Sequence, residues 1–440
     1  MIHTQKQWEE WNRGARFVVR PGGKPREISI LSGRLGPSGA RQGARAKLMP
    51  GSSRNGLRVA VIGGGPAGLF FARLLKRRAP WHEISIFEQN PQSATYGFGV
   101  TLAGAARDRL RKADPEAIDR LDQAMIFDDE QAISLNGERL RLKYAEKAGS
   151  IARVRLLEVL EELCGDLGLA VNHENRIASP EDLADFDLVV GADGANSVVR
   201  GFAEARMGVK RRPLTNRFAW FGVARALNPN GLSFKAAGGG NFIAHYYAYT
   251  PEMSTFVAEC DEAAWDASFA AMSNAERRAF IETLFAEELE GGALVENNTS
   301  WRQFEAATVD RWHDGNCVLL GDALRVAHFS IGSGTRLAMD DALALSEALT
   351  DTGDNVQAGL ARYVEIRKPT RDLFTEATVK SFEWYDDIAS RMGMDVVDFT
   401  YDFLTRTGRV DDERLRGYVP EFYRQHMSAR GKGDELGGMT

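Results

Sequence analysis

The segment from Leu57 to Glu88 admits few folds. An apolar run, LRVAVI, enters Gly63-Gly64-Gly65-Pro66-Ala67-Gly68, a helix-period stretch, LFFARLL, follows, and a second apolar strand, EISIF, ends at Glu88. Strand, glycine turn, helix and strand in that order make the opening unit of a doubly wound parallel sheet. The three spaced glycines serve different ends. Gly63 takes a turn conformation that a side chain forbids, Gly65 lets the backbone approach a pyrophosphate, and Gly68 lets helix and strand pack closely. The helix begins at Pro66, and from Ala67 on its first turn offers free N–H groups and a positive dipole end turned to the phosphates. Glu88 stands 20 residues after Gly68, where a carboxylate accepts from a ribose 2′-hydroxyl and disfavours a 2′-phosphate. A glycine turn with no ligand would need no such acid in register.

Two later stretches bear on which dinucleotide is bound. Asp193-Gly194 follows an apolar strand in DLVVGADGANSVVR (187–200), and Gly321-Asp322 follows another in NCVLLGDALRVAHFSIGSGTRLAMDDALALSEAL (316–349). They resemble the DG and GD motifs of the class A FAD-dependent aromatic monooxygenases, the para-hydroxybenzoate hydroxylase-like enzymes. The resemblance implies that Asp322 holds the FAD ribitol. It also implies that the helix opening near Gly332-Ser333-Gly334-Thr335 aims its N-terminus at the pyrimidine end of the flavin, where reduced flavin is negative. Arg153 matches the family's Arg-x-x-Leu site beside FAD; taken alone, it is equally a solvated arginine on a helix face. Gly99, in Tyr96-Gly97-Phe98-Gly99-Val100, resembles the family's mobile segment next to the flavin.

Within that family, FIAHYYAYTPEMSTFVAEC (242–260) and AHFSIGSGTRLAMDDALAL (327–345) resemble the salicylyl-CoA 5-hydroxylase and 2-aminobenzoyl-CoA monooxygenase branch. They resemble the violacein-pathway hydroxylase almost as closely. The activity implied is hydroxylation of an electron-rich ring, with NADH or NADPH reducing FAD and dioxygen forming a flavin hydroperoxide. Aryl-CoA thioesters are the leading substrates. Free indole or tryptophan-derived metabolites are the alternative, and a non-catalytic escort protein of the same fold is a third reading. Leu324-Arg325 replaces the family's usual Ala-His, which puts contacts near the isoalloxazine in doubt.

The fold class expected is α/β, with a discontinuous Rossmann-like FAD-binding domain (57–135, 150–204 and 311–375). An antiparallel-sheet substrate domain is inserted (136–149 and 205–310), and C-terminal helices with a tail follow over 376–440. Alternating stretches such as FAWFGVARAL and NFIAHYYAYT read as its strands. No second dinucleotide fingerprint is visible, since Gly238-Gly239-Gly240 lies between strand-like runs. This suits transient use of the nicotinamide.

At 440 residues, 44% apolar and 26% charged, the chain has ample material for a large core. Residues 1–57 carry eleven Lys/Arg against Glu9, Glu10 and Glu27, a charge of +8, so with a total of −6 the remainder holds −14. The leader 1–56 reads as basic and disordered. It is either an arm for a phosphate-bearing partner or an appendage ahead of a start at Met49. No apolar run spans a bilayer and no signal-peptide core is present. Cys164, Cys260 and Cys317 form no C-x-x-C and fit a reducing cytoplasm. No metal-ligand spacing and no nucleic-acid signature are found, and the assembly expected is a monomer or homodimer.

His328, in the loop before the flavin helix, reads either as a substrate or proton-handling group or as a packed loop histidine. His245 and Tyr247 share one strand face, opposite Tyr246; for each, catalysis competes with core packing. Lys210, Arg211 and Arg212 form the best cluster for CoA phosphates, against the plainer reading of a solvated basic loop.

Overall fold

The computed structural model describes residues 56–430 apart from 93, 95, 96, 103, 327 and 333, so the leader 1–55, Tyr96 and Ser333 lie outside the described residues. Two sheets organise the chain. In the first, β14 (His313–Asp314), β15 (Cys317–Leu319), β7 (Leu188–Gly191), β1 (Arg58–Ile62), β2 (Glu83–Phe87) and β6 (Val171–Asn172) lie in that order. All neighbours are parallel except the β14–β15 edge pair. β1 and β7 are apolar without alternation and buried almost throughout, as strands covered on both faces must be.

α1 (Pro66–Arg78) covers this sheet with a buried run from Ala67 to Leu75, and Lys76, Arg77 and Arg78 meet the negative dipole end in its last turn. It packs on α2 (Arg153–Gly165) and α3 (Gly334–Asp351). A buried cation fixes the first contact: Arg73 Nε donates to Asp114 Oδ2 at 2.6 Å and its Nη1 donates to the Leu163 carbonyl at 2.8 Å. The Asp114 carboxylate in turn caps the helix Pro115–Gln123.

The second sheet runs β12 (Leu294–Val295), β8 (Val209–Val223), β11 (Met253–Cys260), β10 (Gly240–Thr250), β9 (Asn230–Ala237), β4 (Ile126–Leu135), β5 (Glu138–Ala152) and β3 (Gly99–Leu102), with β13 (Arg302–Val309) also on β8. Only the β4–β9 pair is parallel. Period-2 alternation divides its faces. Phe221, Phe242, Ala244, Tyr246 and Phe256 bury one face together with Ala264 and Ile281 of the helices Glu262–Ala267 and Asn274–Leu284. Phe218, Trp220, His245, Tyr247, Val257 and Glu259 share the other.

Sheet membership departs from the division read in the sequence. β3 and β4, placed with the FAD-binding segment 57–135, hydrogen-bond into the second sheet, as does the end of β5 beyond residue 149. The cause is a hairpin: Asn136 and Gly137, both at positive φ, turn β4 directly into β5. α4 (Val356–Asp386), α5 (Val396–Thr405) and α6 (Pro420–Ala429) close the molecule, with Tyr385, Phe399, Phe403 and Phe422 packed on Ile133, Phe234 and Ile243. No helix among the described residues is long and apolar enough to cross a membrane.

Candidate active site

The glycine turn takes the form its spacing implies. Gly63 sits at φ +110°, its N–H donates to the Phe87 carbonyl at 2.7 Å, and a Cβ there would come within 2.4 Å of the Ala192 oxygen. A Cβ at Gly68 would lie 2.1 Å from the Gly63 oxygen, which is the close strand–helix approach that only glycine allows. Gly65 differs: the nearest atom to a Cβ is 4.0 Å away, so the residue borders open space at the start of α1. The Gly64 N–H donates to Glu88 Oε2 at 2.8 Å, and Asn90 donates twice to Oε1. A carboxylate has about four acceptor sites, two on each oxygen, so Oε2 retains capacity for a ribose hydroxyl.

The DG and GD turns are locked to each other and to the helices. Asp193 Oδ2 accepts from the N–H groups of Val198 and Val199, while its buried Oδ1 has no hydrogen-bond partner among the described residues. Gly321, at φ +56°, lies against Ala67 and Ala338, which brings the GD turn onto the first turn of α1. Asp341 on α3 accepts from the Gly321 N–H at 3.2 Å, from Arg367 Nε at 2.7 Å and from Arg371 Nη2 at 2.6 Å; Arg371 also donates to the Gly321 carbonyl at 3.0 Å. These buried charges on α3 and α4 do not stand out as site residues in the sequence. Their signal is nonetheless present, as an acidic pair, Asp340-Asp341, inside an otherwise Ala/Leu-rich helix.

Asp322 keeps a solvent-accessible carboxylate although protein surrounds it closely. That crowding pushes its carboxyl up, against the pull of Arg371, Arg153 and Arg325. Arg153, the first residue of α2, stands in the fields of both Asp322 and Glu88, and its buried Nε has no hydrogen-bond partner among the described residues. Arg325 is buried and donates from Nη1 to Thr375 Oγ1 on α4; among the described residues its Nε and Nη2 have no hydrogen-bond partner.

The protein therefore presents a cradle at Gly65, a ribose acid at Glu88, an accessible acid at Asp322 and an arginine, Arg153, in the fields of both acids. This donor set fits FAD. Gly332, at φ +57°, ends the turn Phe329–Ile331; Gly334 opens α3 and Thr335 is half-buried beside it.

The second sheet supplies the other wall. Tyr247 donates from its hydroxyl to the Gly99 carbonyl at 2.7 Å, and the Gly99 N–H donates to Thr255 Oγ1 at 2.8 Å, so the Gly99 strand is held against β10 and β11. Burial pushes the Tyr247 phenol up to about 12. His245 and His328 meet Phe329 and Tyr385, with Phe304 on the far side of His328. Tyr246 instead stacks on Phe256 in the opposite face. Glu259 of β11, absent from the residues that the sequence points to, reaches His245; an acid alternating in register with Thr255 and Val257 is the available sign.

The basic cluster does not join this site as free cations. Lys210 pairs with Asp310 at 2.8 Å, Arg211 with Glu204 at 3.0 Å and Glu305 at 3.4 Å, and Arg212 with Glu383 at 3.7 Å. Exposed and paired, the three leave little positive charge for a phosphate.

The glycine turn, the ribose acid and one arginine in the fields of two acids define an FAD-dependent oxidoreductase. A family model described as an FAD binding domain matches residues 180–378. The chain is 35% identical to a salicyloyl-CoA 5-hydroxylase of a Streptomyces species, over 80% of this chain and 70% of that one. It is also 35% identical to the 3-hydroxy-4-methyl-anthranilyl-[aryl-carrier protein] 5-monooxygenase of Streptosporangium sibiricum (77% and 95%) and to the protodeoxyviolaceinate monooxygenase of Chromobacterium violaceum (80% and 94%). The fold is similar to that of 2-methyl-3-hydroxypyridine-5-carboxylic acid oxygenase, with a TM-score of 0.62 at 18% identity, covering 82% of this chain and 95% of that one. The chain belongs to the class A FAD-dependent aromatic monooxygenases.

Proposed function

We propose that this enzyme hydroxylates an electron-rich aromatic ring carried as an aroyl-CoA thioester, of the salicylyl or 2-aminobenzoyl kind, with NADH or NADPH and dioxygen as co-substrates. One observation carries the reading: two of the relatives are named for aromatic acyl groups on a carrier, salicyloyl on CoA and an anthranilyl group on an aryl-carrier protein. FAD, when bound, supplies the redox and oxygen-activating chemistry. Gly65, Glu88, Arg153 and Asp322 would hold it, with Asp193, Gly332, Gly334 and Thr335 shaping the turns around it. The protein's remaining work is to orient the ring and exclude water. The aromatic wall of Phe218, Phe304, Phe329 and Tyr385 suits both roles.

A second reading, a free indole or tryptophan-derived substrate, is favoured by the equally identical violacein-pathway relative. The free thiols of Cys164, Cys260 and Cys317 suit a reducing cytoplasm. Substrate-stimulated NAD(P)H oxidation, with mass spectrometry of the product, separates the two readings. One added oxygen on salicyloyl-CoA or 2-aminobenzoyl-CoA supports the first; turnover of tryptophan derivatives alone replaces it with the second.

A further inference from the structure

His245 and His328 share one aromatic surround, and the protein fixes one ring nitrogen of each. His245 stacks on Tyr385 with centroids 5.5 Å apart and meets Phe329 edge-on at 5.2 Å; His328 lies 4.1 Å from Phe329 and 6.1 Å from Tyr385. The Ser330 N–H donates to His328 Nδ1 at 3.3 Å, so the neutral ring carries its proton on Nε2. Burial draws His328 down to about 4, which keeps that ring neutral at ordinary pH.

His245 has the opposite arrangement. Its Nε2 lies 3.2 Å from Glu259 Oε2, and Asn216 Nδ2 donates to Glu259 Oε1 at 2.9 Å. Burial pushes the Glu259 carboxyl up, but the hydrogen bonds it accepts from His245 and Asn216 help bring it below its ordinary range, so it is ionised. A carboxylate only accepts, so His245 Nε2 carries the proton and Nδ1 of the neutral ring offers a lone pair. Among the described residues, neither His328 Nε2 nor His245 Nδ1 has a hydrogen-bond partner. The wall thus presents one donor and one acceptor in otherwise aromatic surroundings.

We propose that this pair selects aromatic acyl groups bearing an ortho hydroxyl or amino substituent. His328 Nε2–H donates to the acyl carbonyl, and His245 Nδ1 accepts from the ortho O–H or N–H. Glu259 is the positioning residue that sets the His245 tautomer, and Asn216 orients Glu259. The inference rests on the aroyl reading above and names the ring pattern that the site takes.

The test titrates FAD-loaded enzyme, without NAD(P)H, and reads the flavin absorbance change. One ligand set is methyl salicylate, methyl 2-methoxybenzoate and methyl benzoate; the other is the three corresponding CoA thioesters. The salicyl member should bind about tenfold more tightly than its partners, since a methoxy group or hydrogen offers His245 no donor. In Glu259→Gln, Asn216 keeps the amide oxygen, so the amide NH2 faces His245 Nε2 and drives the proton to Nδ1. The acceptor becomes a donor, and the preference should fall to about threefold or less with FAD content unchanged.

Equal wild-type affinities for salicyl and methoxy ligands, or no binding in either set, overturn the pair. A Glu259→Gln enzyme with the full preference overturns the role of Glu259. If that variant does not fold, the wild-type series decides alone. A salicyl preference among the methyl esters with no thioester binding leaves the pair standing and removes the aryl-CoA reading instead.

Discussion

Arg200 Nη1 donates to the Ala323 carbonyl at 2.9 Å and to the Asp322 carbonyl at 3.3 Å. The segment behind the Asp193-Gly194 turn is therefore fastened directly to the Gly321-Asp322 turn, two motifs more than 120 residues apart. Arg200 is buried, so Arg200→Met strands these carbonyls in a dry setting. Leaving them unsatisfied costs roughly 1–3 kcal/mol. FAD affinity should fall about tenfold, read by flavin fluorescence titration, with a lower Tm. Unchanged affinity would show that the GD turn keeps its shape unaided.

Asp341 tests the same turn from the helix side. It is fully buried and holds Arg367 and Arg371, so Asp341→Asn takes the ion-pair partner from Arg371 and leaves Arg367 only its longer 3.8 Å contact with Asp340. Breaking such a network costs about 3–5 kcal/mol. Urea denaturation should show that loss. Lys368→Ala, which breaks the exposed i,i+4 pair with Asp372, should change stability by no more than about 0.5 kcal/mol.

Local geometry is legible in this sequence, whereas long-range pairing is not. Gly63, Gly68 and Gly321 announce themselves because a tight turn or close approach leaves no alternative to glycine. The capping box of Ser273 and Glu276 is legible in part, since Ser273-Asn274 offers two candidate caps ahead of one helical run. By contrast, Arg200, Arg367, Arg371 and Glu259 look like ordinary charged residues until folding brings distant partners to them. The basic cluster shows the same limit: the carboxylates beside Lys210, Arg211 and Arg212 include Asp310, Glu305 and Glu383, all far off in sequence.

Two glycine substitutions separate folding from cofactor binding. Gly68→Ala drives a Cβ to 2.1 Å from the Gly63 oxygen and should destabilise the protein by several kcal/mol, an overpacking effect read in Tm and in soluble yield. At Gly65 the nearest atom to an added Cβ is 4.0 Å away, so the stability of apoprotein Gly65→Ala should stay within about 1 kcal/mol of wild type. FAD retention should nonetheless drop sharply, because the methyl group occupies the pyrophosphate approach. Normal FAD content in Gly65→Ala would move the cofactor away from this turn.

His328 gives stability a pH dependence with a defined sign. Burial lowers it to about 4, whereas an unfolded histidine titrates near 6.5. Between those values the unfolded chain binds a proton that the fold refuses, so the stabilisation is complete above pH 6.5 and is lost as pH falls towards 4. The ceiling is about 3 kcal/mol. Glu259, held below its ordinary range, adds acid sensitivity only below about pH 4.5, in a separate window. His313 and His426 are also drawn down by burial and act in the same direction as His328, so the comparison must be between wild type and His328→Gln. From pH 7.5 to 5 the wild type should lose about 1–2 kcal/mol more in urea unfolding than the variant does. Equal losses in the two proteins would show that His328 protonates as readily folded as unfolded.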